Sequence, residues 1–235
     1  MELKNLLPEK IYRQMIDLYN ESISGYRNLS YSQEGEDLIL RRIFEEKDKG
    51  FYVDVGAHHP KRFSNTYLFY KMGWRGINIE PRPGSKKLFD KMRKYDINIE
   101  AAISDVPTKL TYFIFDEPAL NSFDKDLSIQ RSNETKYKII KEVTLDTIRL
   151  SDILNKYLDS KQKIDFLSID TEGFDLSVLK SNDWEKYKPS VILCEDAEFD
   201  FANPQKSRVF NFLVEKNYQL FAKTPSTLIF KNRVV

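Results

Sequence analysis

Phe51-Tyr52-Val53-Asp54-Val55-Gly56-Ala57-His58, read together with Gly76-Ile77-Asn78-Ile79-Glu80-Pro81 further on, decides the fold of this chain. Both are short runs rich in β-branched residues, of the kind that a parallel sheet buries on its two faces. Each run stops abruptly. The first ends at Gly56, which permits a tight turn, and the second at Glu80, whose carboxylate then stands at a strand tip beside the first. Ligands of open α/β sheets bind at this carboxyl edge. An acid placed there can grip both hydroxyls of a ribose, so the pair reads as a nucleoside-binding crossover.

The alternation extends outward from this pair. Strands over 51–55, 76–80 and 98–103 alternate with helices over 66–72 and 85–94, which predicts a parallel sheet with right-handed crossovers. Residues 110–115 and 138–144 alternate in polarity and predict two half-exposed paired strands. The polar stretch 121–136 between them reads as a mobile loop, either a lid over the site or a surface excursion. Helices follow at 145–158, 174–180 and 207–216, and strands at 164–169, 190–194, 218–222 and 227–231. Only a few residues, Pro225 among them, separate the last two strands, which suits a hairpin. The predicted fold class is α/β: a mostly parallel, seven-stranded, Rossmann-like sheet with an antiparallel C-terminal hairpin and N-terminal helices. That is the plan of a class I methyltransferase.

Leu7, Ile11, Met15 and Leu18 recur along one helix face that Pro8 can start. A second helix is predicted over 36–46, with Leu38, Ile39, Ile43 and Phe44 inward. Residues 1–30 are therefore expected to form a helical extension, and 31–235 a single domain.

A chain of 235 residues with 41% hydrophobic content can bury one substantial core. Its 37 basic residues balance 36 acidic ones, so nothing draws it toward a nucleic-acid backbone or an anionic bilayer. A small or mixed-charge substrate is the expected partner, with no nucleic acid; an oligomer is compatible with this composition. Cys194 is the only cysteine, which excludes an internal disulfide and fits a reducing compartment, so the cytoplasm is expected. The opening Met1-Glu2-Leu3-Lys4-Asn5 runs into charge and does not read as a secretory signal. No apolar run reaches the roughly 20 residues of a transmembrane helix.

A dinucleotide fingerprint needs Gly-x-Gly-x-x-Gly to cradle a pyrophosphate. Here Gly56 stands alone, and His58, His59 and Pro60 fill the positions a phosphate would need open, which argues against nicotinamide and flavin cofactors. S-adenosylmethionine (SAM) carries no phosphate. It needs a carboxylate for its ribose, a slot for adenine and surroundings that tolerate a sulfonium, and Asp54 with Glu80 suit that demand.

The segments Tyr31-Ser32-Gln33-Glu34-Gly35-Glu36-Asp37, Val53-Asp54-Val55-Gly56-Ala57, Asn78-Ile79-Glu80-Pro81, Ala102-Ile103-Ser104 and Asp170-Thr171-Glu172-Gly173, in this order, resemble the FkbM family of SAM-dependent methyltransferases. The resemblance implies that Gly56 and Ala57 line the methionine moiety and that Glu80, with Pro81 beside it, binds the ribose. Ala102, Ile103 and Ser104 would border adenine. Gln33 and Glu36 would fold over the cofactor from outside the sheet, although Glu36 and Asp37 also read as helix-start acids favoured by the dipole. Roles for Asp170 and Glu172 are implied as well. The chain departs from the family pattern at Ser168, where a lysine is common, and at Asp196 beside Glu195.

Methyl transfer is an in-line displacement, so the protein must align an acceptor and remove its proton. A hydroxyl acceptor needs either a side-chain base or a divalent cation. Asp170 follows one strand and Glu195 with Asp196 the next, so their carboxylates should converge at the sheet edge, a set that suits Mg²⁺ or Mn²⁺. The other reading has Asp170 orienting substrate by hydrogen bonding and Glu195 capping a loop. His58 and His59, the only histidines, are candidates for a base or a ligand, or for contacts to substrate. The catalytic candidates are thus Asp170, His58 and His59. Arg62, Arg75 and Arg82 either face a phosphate of a nucleotide-linked acceptor or lie solvated. The expected activity is O-methylation of a sugar, sugar nucleotide or glycan precursor. Methylation of a nitrogen or of a non-sugar metabolite, and non-catalytic SAM binding, are the alternatives.

Overall fold

The structure is a computed structural model that describes residues 8–159 and 161–233, without the side chain of residue 24. Leu7 of the predicted helical stripe and the opening residues 1–5 lie outside the described residues. The chain divides into two compact units after Ser30. In the first, helix α1 (Glu9–Tyr19) runs into a π-helical turn at Asn20–Ser24 that stops at left-handed Gly25. Ile11, Met15 and Leu18 are exposed.

The second unit runs α2 (Glu36–Ile43), β1 (Phe51–Val55), α3 (Tyr67–Lys71), β2 (Arg75–Ile79), α4 (Ser85–Met92), β3 (Ile97–Ile99), β4 (Ala102–Ile103), β5 (Lys109–Phe115), α5 (Lys125–Glu134), β6 (Ile139–Ile148), α6 (Leu150–Tyr157), β7 (Phe166–Ile169), α7 (Asp175–Lys180), β8 (Val191–Glu195), α8 (Arg208–Glu215), β9 (Tyr218–Lys223) and β10 (Thr227–Asn232). Seven strands form one sheet in the order β3-β2-β1-β7-β8-β10-β9. Only β10 runs against the rest, because the closing hairpin inserts it between β8 and β9. The Rossmann-like α/β sheet with its antiparallel hairpin stands as the sequence predicts.

Successive strand residues point to opposite faces, and both faces are covered. Val53, Ile77, Leu167 and Ile192 pack on one side with Ile153 and Leu154 of α6, Val178 of α7 and Leu213 of α8. Tyr52, Phe166 and Leu193 pack on the other with Leu40 of α2, Phe69 of α3 and Trp74. The result is a rigid platform whose carboxyl edge carries the loops after β1, β2, β7 and β8. No helix among the described residues is long and apolar enough to cross a membrane.

Several element boundaries differ from the sequence reading: the helix expected over 36–46 ends at Ile43, and three differences are larger. The predicted strand 98–103 breaks at residues 100–101, so that β3 joins the main sheet while β4 pairs with β6 in a separate three-stranded sheet, β4-β6-β5. The predicted mobile loop 121–136 contains α5. Its start is capped by Asp124, which accepts a hydrogen bond from the Leu127 amide at 2.9 Å. The helix predicted to begin at 145 begins at Leu150 instead, because β6 continues to Ile148, paired with β5 as far as Asp146 and with β4 at Thr147 and Ile148.

Candidate active site

At the tip of β1 the chain turns through Gly56 with φ +78°, and the amides of Gly56 and Ala57 donate to the Ile79 carbonyl at 2.9 and 3.1 Å. The Asp170 carbonyl presses against this turn so closely that a Cβ on Gly56 would lie 1.8 Å from its oxygen. Only glycine satisfies both the backbone angle and the approach. The turn opens a cleft lined by Asp54, Gly56, Ala57, His58, Glu80, Pro81, Ile103, Asp170 and Gln33, among others.

Glu80 is 6% exposed, and its two carboxylate oxygens accept from the His58 and Arg82 amides at 2.8 and 3.0 Å. Those bonds fix the carboxylate at the strand tip. Burial raises its pKa, and the two amides and the Arg82 charge hold the rise back. Asp54 lies deeper, accepts from the Thr66 hydroxyl at 2.8 Å, and is pushed up to about 6, chiefly by burial. Thr66 in turn accepts from Arg93, a wholly buried guanidinium. Arg93 also pairs with Asp96 at 2.9 Å and donates to the Tyr52 hydroxyl at 2.8 Å and the Pro60 carbonyl at 3.0 Å. This network ties the histidine loop to the sheet beneath it.

His58 takes a left-handed backbone, φ +50°, and stacks on Phe63. Its Nε2 is buried without a partner among the described residues. Burial, then the charges of Arg62 and Arg82, lower its pKa to about 4, so the ring is neutral near pH 7. His59 Nδ1 accepts from the Lys61 and Arg62 amides at 3.1 and 3.0 Å. That nitrogen is occupied, which leaves His59 an Nε2–H donor and no base at Nδ1.

On the opposite wall, one carboxylate oxygen from each of Asp170, Glu172 and Glu195 falls within 4.8 Å of the others. Glu172 has φ +52° and pairs with Arg131 of α5. Asp170 is open to the cleft but crowded by protein on its other sides. That loss of water, then the charges of Glu195 and Glu172, drive its pKa upward. Glu195 is raised to about 8 by burial and by Glu172 and Asp175. Asp175, behind them, is also raised to about 8, by burial and by Asp170, and accepts from the Thr171 and Gly173 amides.

Several expected site residues lie elsewhere. Glu36 is buried but turns from the cleft to accept from Thr224 and Thr227 of the C-terminal hairpin, while Gln33 reaches in. Of the adenine-bordering trio only Ile103 lines the cleft, with Ala101 in place of Ala102; Ser104 bonds to Ser177. Asp196 accepts from Ser207 at the start of α8, and Glu172 takes its place in the acidic cluster. Arg75 sits at the start of β2, the far end from Glu80, over the rings of Tyr70 and Tyr95.

Other lining residues went unnoticed in the sequence. Tyr112, Phe123 and Phe174 form an aromatic wall, with ring centroids 4.7 and 5.6 Å apart in turn. Asn65 donates to Ser168 at 3.1 Å on the cleft floor. The alternation of 110–115 could have pointed to Tyr112; nothing local marks Phe123 or Arg131.

A strand order of this kind, with an acid at the tip of β2 and a glycine turn after β1, defines a methyltransferase of the Rossmann-like class. The family model described as the Methyltransferase FkbM domain matches residues 54–220, and the chain belongs to that family. No curated protein matches the chain.

Proposed function

We propose that this chain is a SAM-dependent O-methyltransferase whose acceptor is a hydroxyl of a sugar, sugar nucleotide or related glycan precursor. Residues 31–235 carry the reaction and residues 1–30 form an extension. The single observation that carries the reading is Glu80, an acid held by two amides at the tip of β2 and lining the cleft at the carboxyl edge of the sheet. The donor set fits SAM: a carboxylate for a diol, an aromatic and aliphatic wall for adenine, and acids beside the place of a sulfonium. Two buried polar atoms on the wall, His58 Nε2 and Thr171 Oγ1, lack partners among the described residues, as atoms that meet a polar ligand do.

When bound, SAM supplies an electrophilic methyl group that leaves its sulfur as a neutral thioether. The chain must hold the acceptor oxygen in line and take its proton. Asp170 serves as the proton acceptor, since its upward shift makes it a stronger base than an ordinary aspartate. Gln33, Asn65 and Ser168 offer amide and hydroxyl contacts suited to a polyhydroxylated acceptor.

A second reading is favoured by the spacing of Asp170, Glu172 and Glu195, whose oxygens suit Mg²⁺ or Mn²⁺ and would acidify the acceptor in place of a base. Chelation followed by Mn²⁺ addition decides between them: unchanged activity removes the cation.

The primary test is calorimetric titration with S-adenosylhomocysteine, followed by mass spectrometry of methyl-labelled products against a panel of nucleotide sugars and glycan fragments. Hydrogen bonds to charged groups contribute about 1.5–3 kcal/mol each, so Glu80→Ala should weaken S-adenosylhomocysteine at least about tenfold. Wild-type affinity in that variant refutes the assignment.

A further inference from the structure

The cleft encloses about 70 Å³. Pockets that hold small ligands run to roughly 300–1,000 Å³, so a nucleoside thioether enters this one only after its walls part. Which wall can part depends on what ties each one down. The segment between β5 and α5 supplies Pro118, Ala119, Asn121 and Phe123 to the lining. Its later half is fixed several times over. Ser122 exchanges two backbone hydrogen bonds with Phe113, at 2.9 and 3.2 Å, and donates its hydroxyl to the Glu172 carbonyl at 2.7 Å. The Asn121 side chain accepts from the Phe115 amide at 2.8 Å.

The earlier half meets the histidine loop through one contact. Arg62 grips the Glu117 carboxylate with both terminal guanidinium nitrogens, at 2.9 and 3.1 Å. Among the described residues no other hydrogen bond or ion pair joins residues 57–65 to residues 116–121. The two side chains are 46% and 23% exposed, so water and salt weaken the pair. Beside it, Phe63 lines the cleft in left-handed backbone, φ +56°, with the Arg62 guanidinium 4.3 Å from its ring centroid. A bulky residue keeps that backbone only under restraint, and Arg62 is one neighbour that supplies it. The weakest tie across the cleft and a strained wall residue therefore lie side by side.

We propose that the Arg62–Glu117 pair is a clasp that holds the cleft shut and must open before a ligand of nucleoside size enters. Both are positioning residues: they act through the loops they join, by setting how far apart the lining residues Phe63 and Pro118 stand. The inference rests on the methyltransferase reading only for the choice of S-adenosylhomocysteine as probe.

Two measurements on the full chain test it, wild type against Arg62→Gln and Arg62→Lys. Hydrogen exchange reads the clasp without any ligand. The Leu120 and Asn121 amides close the turn behind Glu117 at 3.0 and 3.3 Å, and in Arg62→Gln they should exchange about two- to fivefold faster. Unchanged exchange overturns the clasp. Surface plasmon resonance then follows S-adenosylhomocysteine, whose association should be about two- to fivefold faster in Arg62→Gln, with Arg62→Lys between the two. This ligand has no net charge near pH 7, so raising KCl from about 0.05 to about 0.5 M should speed association to wild type and leave Arg62→Gln unmoved. Faster exchange with association no faster than wild type refutes the gate. Faster exchange in a protein that binds no S-adenosylhomocysteine in either form leaves the clasp standing and removes the methyltransferase reading.

Discussion

Gly56→Ala should be among the most damaging single methyl additions to this protein, and its cost can be built from the geometry. The residue sits at φ +78°, where a side chain costs about 1–2 kcal/mol. The new Cβ would lie 1.8 Å from the Asp170 carbonyl oxygen, against a practical minimum of 3.0 Å, so about 1.2 Å of separation is needed. That oxygen is backbone just past the end of the neighbouring strand β7, and the Asp170 amide donates to the Val55 carbonyl at 3.0 Å. Opening the gap strains or breaks this bond. Overpacking of this kind costs about 1–3 kcal/mol and the lost bond about 1 kcal/mol, which gives a total of about 3–6 kcal/mol. Each kcal/mol lowers Tm by roughly 2–4 °C in a domain of this size, so a fall of about 10 °C or more is expected in a circular-dichroism melt. Gly73→Ala is the control. It has φ +97° but no atom within 4 Å of the built Cβ, so it carries the backbone penalty alone. If both variants melt within a few degrees of each other, the close approach of Asp170 to the β1 turn is wrong.

Asp175 and Glu195 have folded pKa values raised to about 8, so between their unfolded values and pH 8 the folded chain holds protons that the unfolded chain has lost. Stability of the ligand-free protein should therefore fall as pH rises from 5 to 8, by up to about 1.4 kcal/mol per pH unit for each carboxyl. Urea unfolding at pH 5.5, 7 and 8.5 reads this slope, and Asp175→Asn should flatten it; an unaltered slope rejects the buried acid. His58 acts in the opposite sense: its folded pKa of about 4 means a stability contribution present above pH 6.5 and lost as pH falls toward 4. Asp170→Asn should slow turnover by about 10²–10⁴-fold while S-adenosylhomocysteine affinity holds; normal turnover excludes Asp170 as the base. Arg93→Met strands buried Asp96 and should destabilise the fold by about 3–5 kcal/mol, read as a loss in urea midpoint, and a wild-type midpoint would deny the network its role.

What could be read in advance follows from whether a residue's surroundings are local. The strands 51–55 and 76–80 declared themselves because parallel strands are buried on both faces, and Glu80 followed because a strand tip has one place to be. Helix α5 was hidden: its residues Lys125–Glu134 are polar on nearly every face and only Ser128 is buried, so no apolar period marks it. Its consequence, Arg131 on Glu172, spans 41 residues and no local pattern encodes it. The break at residues 100–101 depends on a second sheet, and on Glu100 turning to accept from the Gly84 amide at 2.8 Å. Glu36 failed for another reason. A motif places a residue along the chain but does not say which way it points, and here Glu34 and Glu36 both reach the 224–227 turn while Gln33 alone enters the cleft.

The acidic cluster carries the sharper lesson, because the error there was avoidable. Neighbouring residues at the end of a strand point to opposite sides, so Glu195 and Asp196 cannot both face Asp170. One had to turn away, and Asp196 caps α8 through Ser207. The third carboxylate then has to come from the loop after β7, where Asp170 and Glu172 are two apart. The left-handed backbone at Glu172 and Gly173 folds that loop back so that both carboxylates meet Glu195. A residue without glycine's freedom at position 172 tolerates this angle only under restraint, and the Arg131 pair together with the Ser122 hydroxyl on the Glu172 carbonyl, at 2.7 Å, supplies it. The polar segment that first reads as a loose loop is thus what holds the acidic wall of the cleft in place.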